Sequence, residues 1–205
     1  MHVTEHEVEP PSSRPCEDAS PEVGEAPPRL GAADKDRLRG MFAAHYDSVW
    51  RLLRRLGLDP ASADDAAQQV FLVAARRLSD IDREKERSFL CGTATRVAAG
   101  LRQKARRRGE EALETDDAAE GPSSQPTGAD ELVDRKRKRE LLDRILGQME
   151  EELRVVLVLA EMEDLGKREI ADILAIPEGT AASRLRRARE DFQARLTRHL
   201  AREGR

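Results

Sequence analysis

The chain has 205 residues, with 36 Lys and Arg against 40 Asp and Glu for a net charge of −4, and only 3% of its residues are aromatic. That length fits one ordinary domain or two small ones, and so few aromatics favour two small helical cores over one large core. No run approaches the ~18 apolar residues of a membrane span, the acidic start MHVTEHEVEPPSS lacks the apolar stretch of a signal peptide, and Cys16 and Cys91 are too few for a disulfide framework; a cytoplasmic protein with no membrane insertion is expected.

The mild net charge conceals a segregation. Residues 1–33 carry net −5, 34–108 net +7, 109–134 net −9 and 135–205 net +3. Two basic blocks separated by an acidic spacer point towards a polyanionic partner more than the global charge does. Basic side chains that merely solvate helix faces are the alternative.

In chain order, residues 1–33 hold six of the ten prolines and few large apolar side chains, so they read as a disordered acidic tail. In the first block, 34–108, Leu38, Met41, Phe42, Tyr46, Val49, Leu52, Leu53 and Leu56 recur at three- and four-residue steps, which predicts a helix. Gly57 ends it and Asp59-Pro60 makes a turn. A second helix carries Ala66, Ala67, Val70, Phe71, Val73 and Ala74 on its apolar side; a polar loop over 79–88 follows, then a third apolar run from Phe89 to Leu101 ending in QKARRR. Residues 109–134 are Pro-, Gly- and acid-rich and read as a flexible linker. In the second block, 135–203, Leu141, Leu142, Ile145, Leu146 and Met149 mark a helix. RVVLVLAEM fits a strand or a buried helix by itself; its helical neighbours and the lack of hairpin turns decide for helix. The expected fold is all-α, two small helical domains joined by the linker.

The most specific stretch is REIADILAIPEGTAASRLRRARE, from Arg168 to Glu190. Ile170, Ala171, Ile173 and Leu174 form one side of a short helix, AIPEG breaks it, and Thr180 can cap the next helix with its hydroxyl. That helix turns Ala181, Leu185 and Ala188 inward and Ser183, Arg184, Arg186, Arg187 and Arg189 outward. A helix-turn-helix with an Arg-rich second helix suits major-groove reading, because the planar guanidinium bonds guanine bidentately or clamps a phosphate. An ordinary helical hairpin with a solvated Arg face is the bland alternative.

The run from Arg154 to Glu190 resembles the C-terminal promoter-reading domain of bacterial RNA polymerase sigma factors, in the extracytoplasmic-function (ECF) group of the sigma-70 family. HYDSVWRLLRRLG-LDPASADDAAQQVFLVAARRL and RSFLCGTATRVAAGLRQKARRR resemble the first and last parts of the domain that binds core polymerase and the −10 element. The resemblance implies a sigma factor that binds core RNA polymerase and directs promoter-specific initiation. It places Asp65, Gln68, Gln69, Phe71 and Leu72 on the helix that docks on the clamp coiled coil of the large polymerase subunit, although Phe71 reads equally as core. It places the loop 79–88 where a flipped −10 base is captured, and Arg87, Phe89, Arg96, Arg102, Lys104, Arg106, Arg107 and Arg108 along the strand-separated DNA. Ser183, Arg186 and Arg187 fall where −35 bases are read, with Thr180, Lys167, Arg168, Arg184 and Arg189 alongside them, the last four as phosphate contacts. An anti-sigma protein is implied as a further partner.

The sequence departs from the family pattern at Gln69, Ala75, Phe89, Gly100, Ala175 and Ala182. At Ala175 a glycine is common; if that turn needs positive φ, alanine costs on the order of 1 kcal/mol. His2, His6, His45, His199 and the two cysteines offer no metal-ligand cluster, and no phosphate-binding glycine loop or nucleophile elbow occurs, so no cofactor and no catalysis are expected. A stand-alone helix-turn-helix regulator is the competing reading; it would have no need of a clamp-docking helix.

Overall fold

The computed structural model describes residues 31–107, 109 and 129–203. The tail expected over 1–33 lies almost wholly outside them, as do residues 110–128 of the expected linker. Helix α1 spans Ala32–Arg55, α2 Pro60–Arg76, α3 Glu86–Arg107, α4 Ala129–Gly147, α5 Glu151–Glu161, α6 Lys167–Leu174 and α7 Glu178–Glu203. Among the described residues there is no strand. Helix α4 starts inside the stretch expected to be linker, and the loop expected over 79–88 is partly ordered by two 3₁₀ turns, Leu78–Asp80 and Arg83–Lys85, with α3 beginning at Glu86.

Local chemistry accounts for the breaks between helices. Gly57 has φ 96° and closes α1 through two bonds, its own N–H to the Arg54 carbonyl at 2.9 Å and the Leu58 N–H to the Leu53 carbonyl at 3.2 Å. This is the paired ending that a left-handed residue permits, and glycine adopts it without a Cβ penalty. Two residues on, the Asp59 carboxylate accepts the Ser62 N–H at 3.0 Å and Pro60 fills the first helical position, where its missing N–H costs nothing.

Helices α1, α2 and α3 pack on one another, and α5, α6 and α7 form a second unit with α4 against α7. In the first unit Leu52, Leu53, Leu56, Val70 and Leu90 are fully buried. In the second, Val155 to Leu159 are all buried, so the β-branched run that fits a strand is a helix enclosed on every side. Instead of the two separate cores expected, the buried side chains form one continuous cluster from Met41 to Ala188. The bridge is α3 against α6, where a Cβ built on Gly92 would lie 3.3 Å from Ile173 Cγ1. Cys91, buried beside this crossing, is the small core residue its apolar setting predicts.

Candidate nucleic-acid interface

The expected base-handling loop is pinned from beneath by a residue the sequence reading passed over. Arg37, on α1, donates from Nε to Glu86 Oε1 at 2.9 Å, from Nη1 to the Leu78 carbonyl at 3.0 Å and from Nη2 to the Ile81 carbonyl at 2.6 Å. One guanidinium thus fixes both ends of the segment, as its rigid fork of donors allows. Phe89 is half-buried on the core with the Arg77 guanidinium 5.9 Å from its ring. The exposed basic groups around the loop are Arg83, Lys85 and Arg87, interleaved with exposed Asp80, Asp82 and Glu84.

Along α3 the predicted basic residues separate. Arg96, Lys104 and Arg107 are exposed, and Arg108 lies outside the described residues. Arg102 is not displayed as expected. Its side chain is 13% exposed, its Nη2 sits 2.8 Å from Glu151 Oε1, and its Nη1 donates to the Leu56 carbonyl. Burial pulls its guanidinium below the usual arginine range, with Glu151 acting in the opposite sense. Arg106 is exposed but reaches the other Glu151 oxygen at 2.9 Å, one helical turn along from Arg102. Arg87 lies 3.5 Å from Glu163. Glu163 is only 3% exposed, the one buried carboxylate among the described residues, and burial pushes its carboxyl up although Arg87 and Arg55 pull it down. The Cys91 thiol donates to Glu163 at 3.9 Å, and its own pKa is pushed up to about 12, first by burial and then by the Glu163 charge.

On α2, Asp65, Gln68 and Leu72 share an exposed stripe at three- and four-residue steps, and Gln69 is half-buried beside it. Leu72 is 50% exposed and Phe42 of α1 is 44% exposed. Phe71, in contrast, is core: it packs on Phe42 with ring centroids 4.8 Å apart and on Tyr46 at 6.1 Å, so the packing alternative holds.

The helix-turn-helix is formed by α6 and α7. Ala175, between them, has φ 51° and ψ 45°, the left-handed conformation that the sequence marked as its cost. The Ile176 N–H closes the turn on the Ala171 carbonyl at 3.0 Å. Helix α7 starts at Glu178, earlier than expected. The Thr180 and Ala181 N–H groups bond the Pro177 carbonyl at 2.9 and 3.0 Å, so Thr180 lies inside the first turn and is not its cap. Proline's fixed φ and the Glu178 charge near the positive helix end supply the start instead. Ala181, Leu185 and Ala188 are buried as predicted. Of the outward arginines, Arg184 is held by Glu152 at 2.6 Å, Arg189 by Glu161 at 2.6 Å and Arg186 by Glu190 at 2.8 Å. Among the described residues, Ser183 and Arg187 are the exposed groups of this face outside any carboxylate pair; the Ser183 hydroxyl donates to the Thr180 carbonyl at 2.9 Å. Lys167 and Arg168 are exposed in the first turn of α6, where Glu169 accepts the Gly166 N–H at 2.9 Å.

Glu151, Glu163 and Glu169 carry no mark in the sequence beyond their charge. They matter through partners 45 to 81 positions away, which no local spacing encodes.

Two family models match the chain, Sigma-70 region 2 over residues 41–109 and Sigma-70, region 4 over residues 139–192. The ECF RNA polymerase sigma factor SigE of Mycolicibacterium smegmatis is 27% identical over 157 residues, which is 76% of this chain and 60% of that protein's length. The RNA polymerase sigma-H factor of Pseudomonas aeruginosa is 27% identical over 82% of this chain and 90% of its own. ECF RNA polymerase sigma factor SigL of Mycobacterium tuberculosis is 29% identical over 75% of this chain and 85% of its own. In fold, the chain is similar to the sigma factor RpoE of Bartonella quintana, solved with the anti-sigma factor NepR, with a TM-score of 0.59 and 16% identity over 79% of this chain and 98% of that one. CnrH, solved with the cytosolic domain of CnrY, gives a TM-score of 0.57 and 18% identity over 80% of this chain and 89% of that one. With both regions matched in order and the ECF factors aligned across three quarters of its length, the chain belongs to the sigma-70 family of RNA polymerase sigma factors, in the ECF group.

Proposed function

We propose that this sigma factor binds core RNA polymerase and directs promoter-specific initiation, with the first unit, 34–108, docking on polymerase and handling the −10 element and the second, 135–203, reading the −35 duplex. The observation that carries this is the presence in one chain of an Arg-bearing helix-turn-helix and, on a separate helical unit, the exposed stripe of Asp65, Gln68 and Leu72. A stand-alone regulator needs only the first of these. The stripe offers an apolar centre with polar flanks, the chemistry of helix-on-helix docking, and so suits the clamp coiled coil of the large polymerase subunit.

On α7, Arg187 and Ser183 reach base edges, while Arg184 and Arg189, tethered to α5, set the height of the helix over the groove. Lys167 and Arg168 take phosphates. Polymerase performs the covalent chemistry; this chain supplies binding and strand capture in the cytoplasm, without a cofactor of its own. Two of its structural neighbours were solved with an anti-sigma factor or a cytosolic domain bound, and a partner of that kind is proposed here.

Reconstituted transcription with core polymerase and a randomised promoter library tests the proposal. The expected result is enrichment of promoters with paired −10 and −35 elements, lost on substituting Asp65 and Leu72 together. Absence of both polymerase binding and promoter-dependent transcript overturns it.

A further inference from the structure

The positive charge of the second block does not sit on its reading helix. Residues 135–205 carry net +3, yet residues 135–139, Arg-Lys-Arg-Lys-Arg, carry +5, which leaves 140–205 at net −2. On the reading helix α7, Arg184, Arg186 and Arg189 are already matched by Glu152, Glu190 and Glu161. Binding to a duplex draws its sequence-independent strength from side-chain cations that displace the condensed counterions of the phosphates. In this unit the largest net cationic charge lies in the run on α4.

The run is rigidly held but open. Ile145 and Leu146 of α4 are buried and Leu142 packs on the core, so it is the C-terminal half of the helix that is seated, with α7 as its neighbour. All five basic residues are exposed. At ~1.5 Å per residue they stand roughly 9–15 Å beyond Ile145 along the helix axis. Among the described residues, Lys136, Arg137 and Lys138 face no carboxylate within ion-pair distance. Asp134 and Glu140 bound the run in sequence; within it, positions 135 and 138, 136 and 139, and 135 and 139 are helix neighbours of like charge. Such pairs disfavour the helix until an anion lies across them, and blocks of like charge of this length are a mark of nucleic-acid-binding arms. The matched region 2 ends at 109 and region 4 begins at 139, so residues 135–138 lie outside both.

We propose that residues 135–139 form a phosphate-binding arm for duplex DNA: the arm lies along the backbone beside the −35 element, supplies most of the second unit's electrostatic attraction to the duplex, and reads no base. Because α4 packs on α7, the arm moves with the reading helix, and each phosphate it holds restricts where Ser183 and Arg187 lie in the groove. Successive residues are about 100° apart around the helix, so one duplex meets about two of Lys136, Arg137 and Lys138 at a time. The arm rests on the −35 reading proposed above.

The test uses holoenzyme reconstituted with the full chain, titrated at several salt concentrations with duplex fragments carrying the −35 element that the promoter library selects. Lys136→Gln, Arg137→Gln and Lys138→Gln together remove the charge and keep good helix formers. The slope of log affinity against log salt should become shallower by about 1–2, at ~0.9 per phosphate contact, and affinity at physiological salt should fall on the order of tenfold. The loss should be equal for every single-position variant of the −35 element, with far-ultraviolet circular dichroism and polymerase affinity unchanged. The exchange Lys136→Arg, Arg137→Lys and Lys138→Arg, which keeps the charges, should bind like wild type. An unchanged slope with −35 preference intact overturns the arm, as does a loss confined to one base pair or a charge-keeping exchange that binds no better than the glutamine variant. If the run binds the acidic segment 109–134 of its own chain instead, the glutamine variant holds DNA as well as wild type or better, and the proposal fails. If wild-type holoenzyme shows no −35-dependent binding at all, the −35 reading itself falls and the arm with it.

Discussion

On α3, Arg102 and Arg106 share a glutamate of the other unit 45 or more positions along the chain, whereas on α7 Arg184, Arg186, Arg189 and Arg195 pair within their own unit, to α5 or four residues along the helix. Both helices are rich in basic residues, yet α3 commits two of its arginines to the other unit while α7 keeps its pairs within its own. A pair within a unit moves with it and leaves the outward face presented to a ligand. A pair across units ties the availability of the face to how the units sit. Net charge per segment cannot separate these cases; only the partner's position can.

The largest effect expected bears on whether the units are separable in stability. Leu159 is fully buried in α5, and Leu159→Ala should cost about 2–5 kcal/mol. Trp50, the sole tryptophan, reports the first unit alone. Thermal unfolding followed by far-ultraviolet circular dichroism should show an early transition in this variant, with Trp50 fluorescence changing at higher temperature. Coincident transitions would mean one cooperative body and would dissolve the contrast between two units.

Next is the displayed face. Arg187→Ala should lose about 1–3 kcal/mol of duplex affinity concentrated at one −35 base pair. Arg186, expected beside Arg187 on −35 bases, is tied to Glu190 instead, so Arg186→Ala should change affinity evenly across sequences, and its own exposed ion pair contributes ~0.3–0.5 kcal/mol to stability. Binding titrations against single-position variants of the promoter separate the two. Uniform weakening by Arg187→Ala would make it a phosphate contact.

Much of this architecture is legible in the sequence, and for identifiable reasons. Helical periodicity locates α1, α2, α4, α6 and α7 because burial on one face repeats every three to four residues, whereas α5, apolar all round, is assigned only through its helical neighbours. The Gly57 ending and the Asp59-Pro60 turn are local chemistry, visible in four consecutive residues, and the structure adds that Asp59 also caps α2. The positive φ at Ala175 follows from what the turn demands. What stays hidden is non-local. Arg37 looks like any exposed helix arginine until its three acceptors arrive from 41 to 49 positions away. Arg102 belongs to a basic run, and only the tertiary approach of Glu151 buries it. Thr180 is a sound cap by type, but Pro177 starts the helix three residues sooner.

The helix starts of the two units sharpen the comparison at a smaller scale. Asp59→Ala removes the acceptor for Ser62 and should cost ~1 kcal/mol, whereas Thr180→Ala should cost only a few tenths, because Thr180 caps nothing. The bond from Ser62 holds the Asp59 carboxyl below its usual range. Its contribution is therefore complete above the unfolded carboxylate pKa, near 4, and fades as pH falls through the lower folded value. Urea titrations at pH 7 and pH 3 should show the gap between Asp59→Ala and wild type shrinking in acid. A gap independent of pH would assign the cap to something other than the carboxylate.

The smallest effect opposes the two turns directly. Gly57 and Ala175 both hold left-handed backbone, φ 96° and 51°, but only the first is glycine. An L-residue there costs about 1–2 kcal/mol, partly offset because glycine loses about 0.5–1 kcal/mol more entropy on folding. Ala175 is exposed, so its methyl group contributes little packing that glycine would forfeit. Ala175→Gly should therefore stabilise the second unit by ~0.5 kcal/mol and raise its melting point by roughly 2–4 °C. Gly57→Ala meets the same backbone penalty and, in addition, places its Cβ 3.2 Å from Arg154 of the other unit. It should destabilise the first unit and loosen its hold on the second. If Ala175→Gly instead lowers the melting point, strain at the helix-turn-helix is not relieved by glycine, and the freedom of the unfolded chain outweighs it.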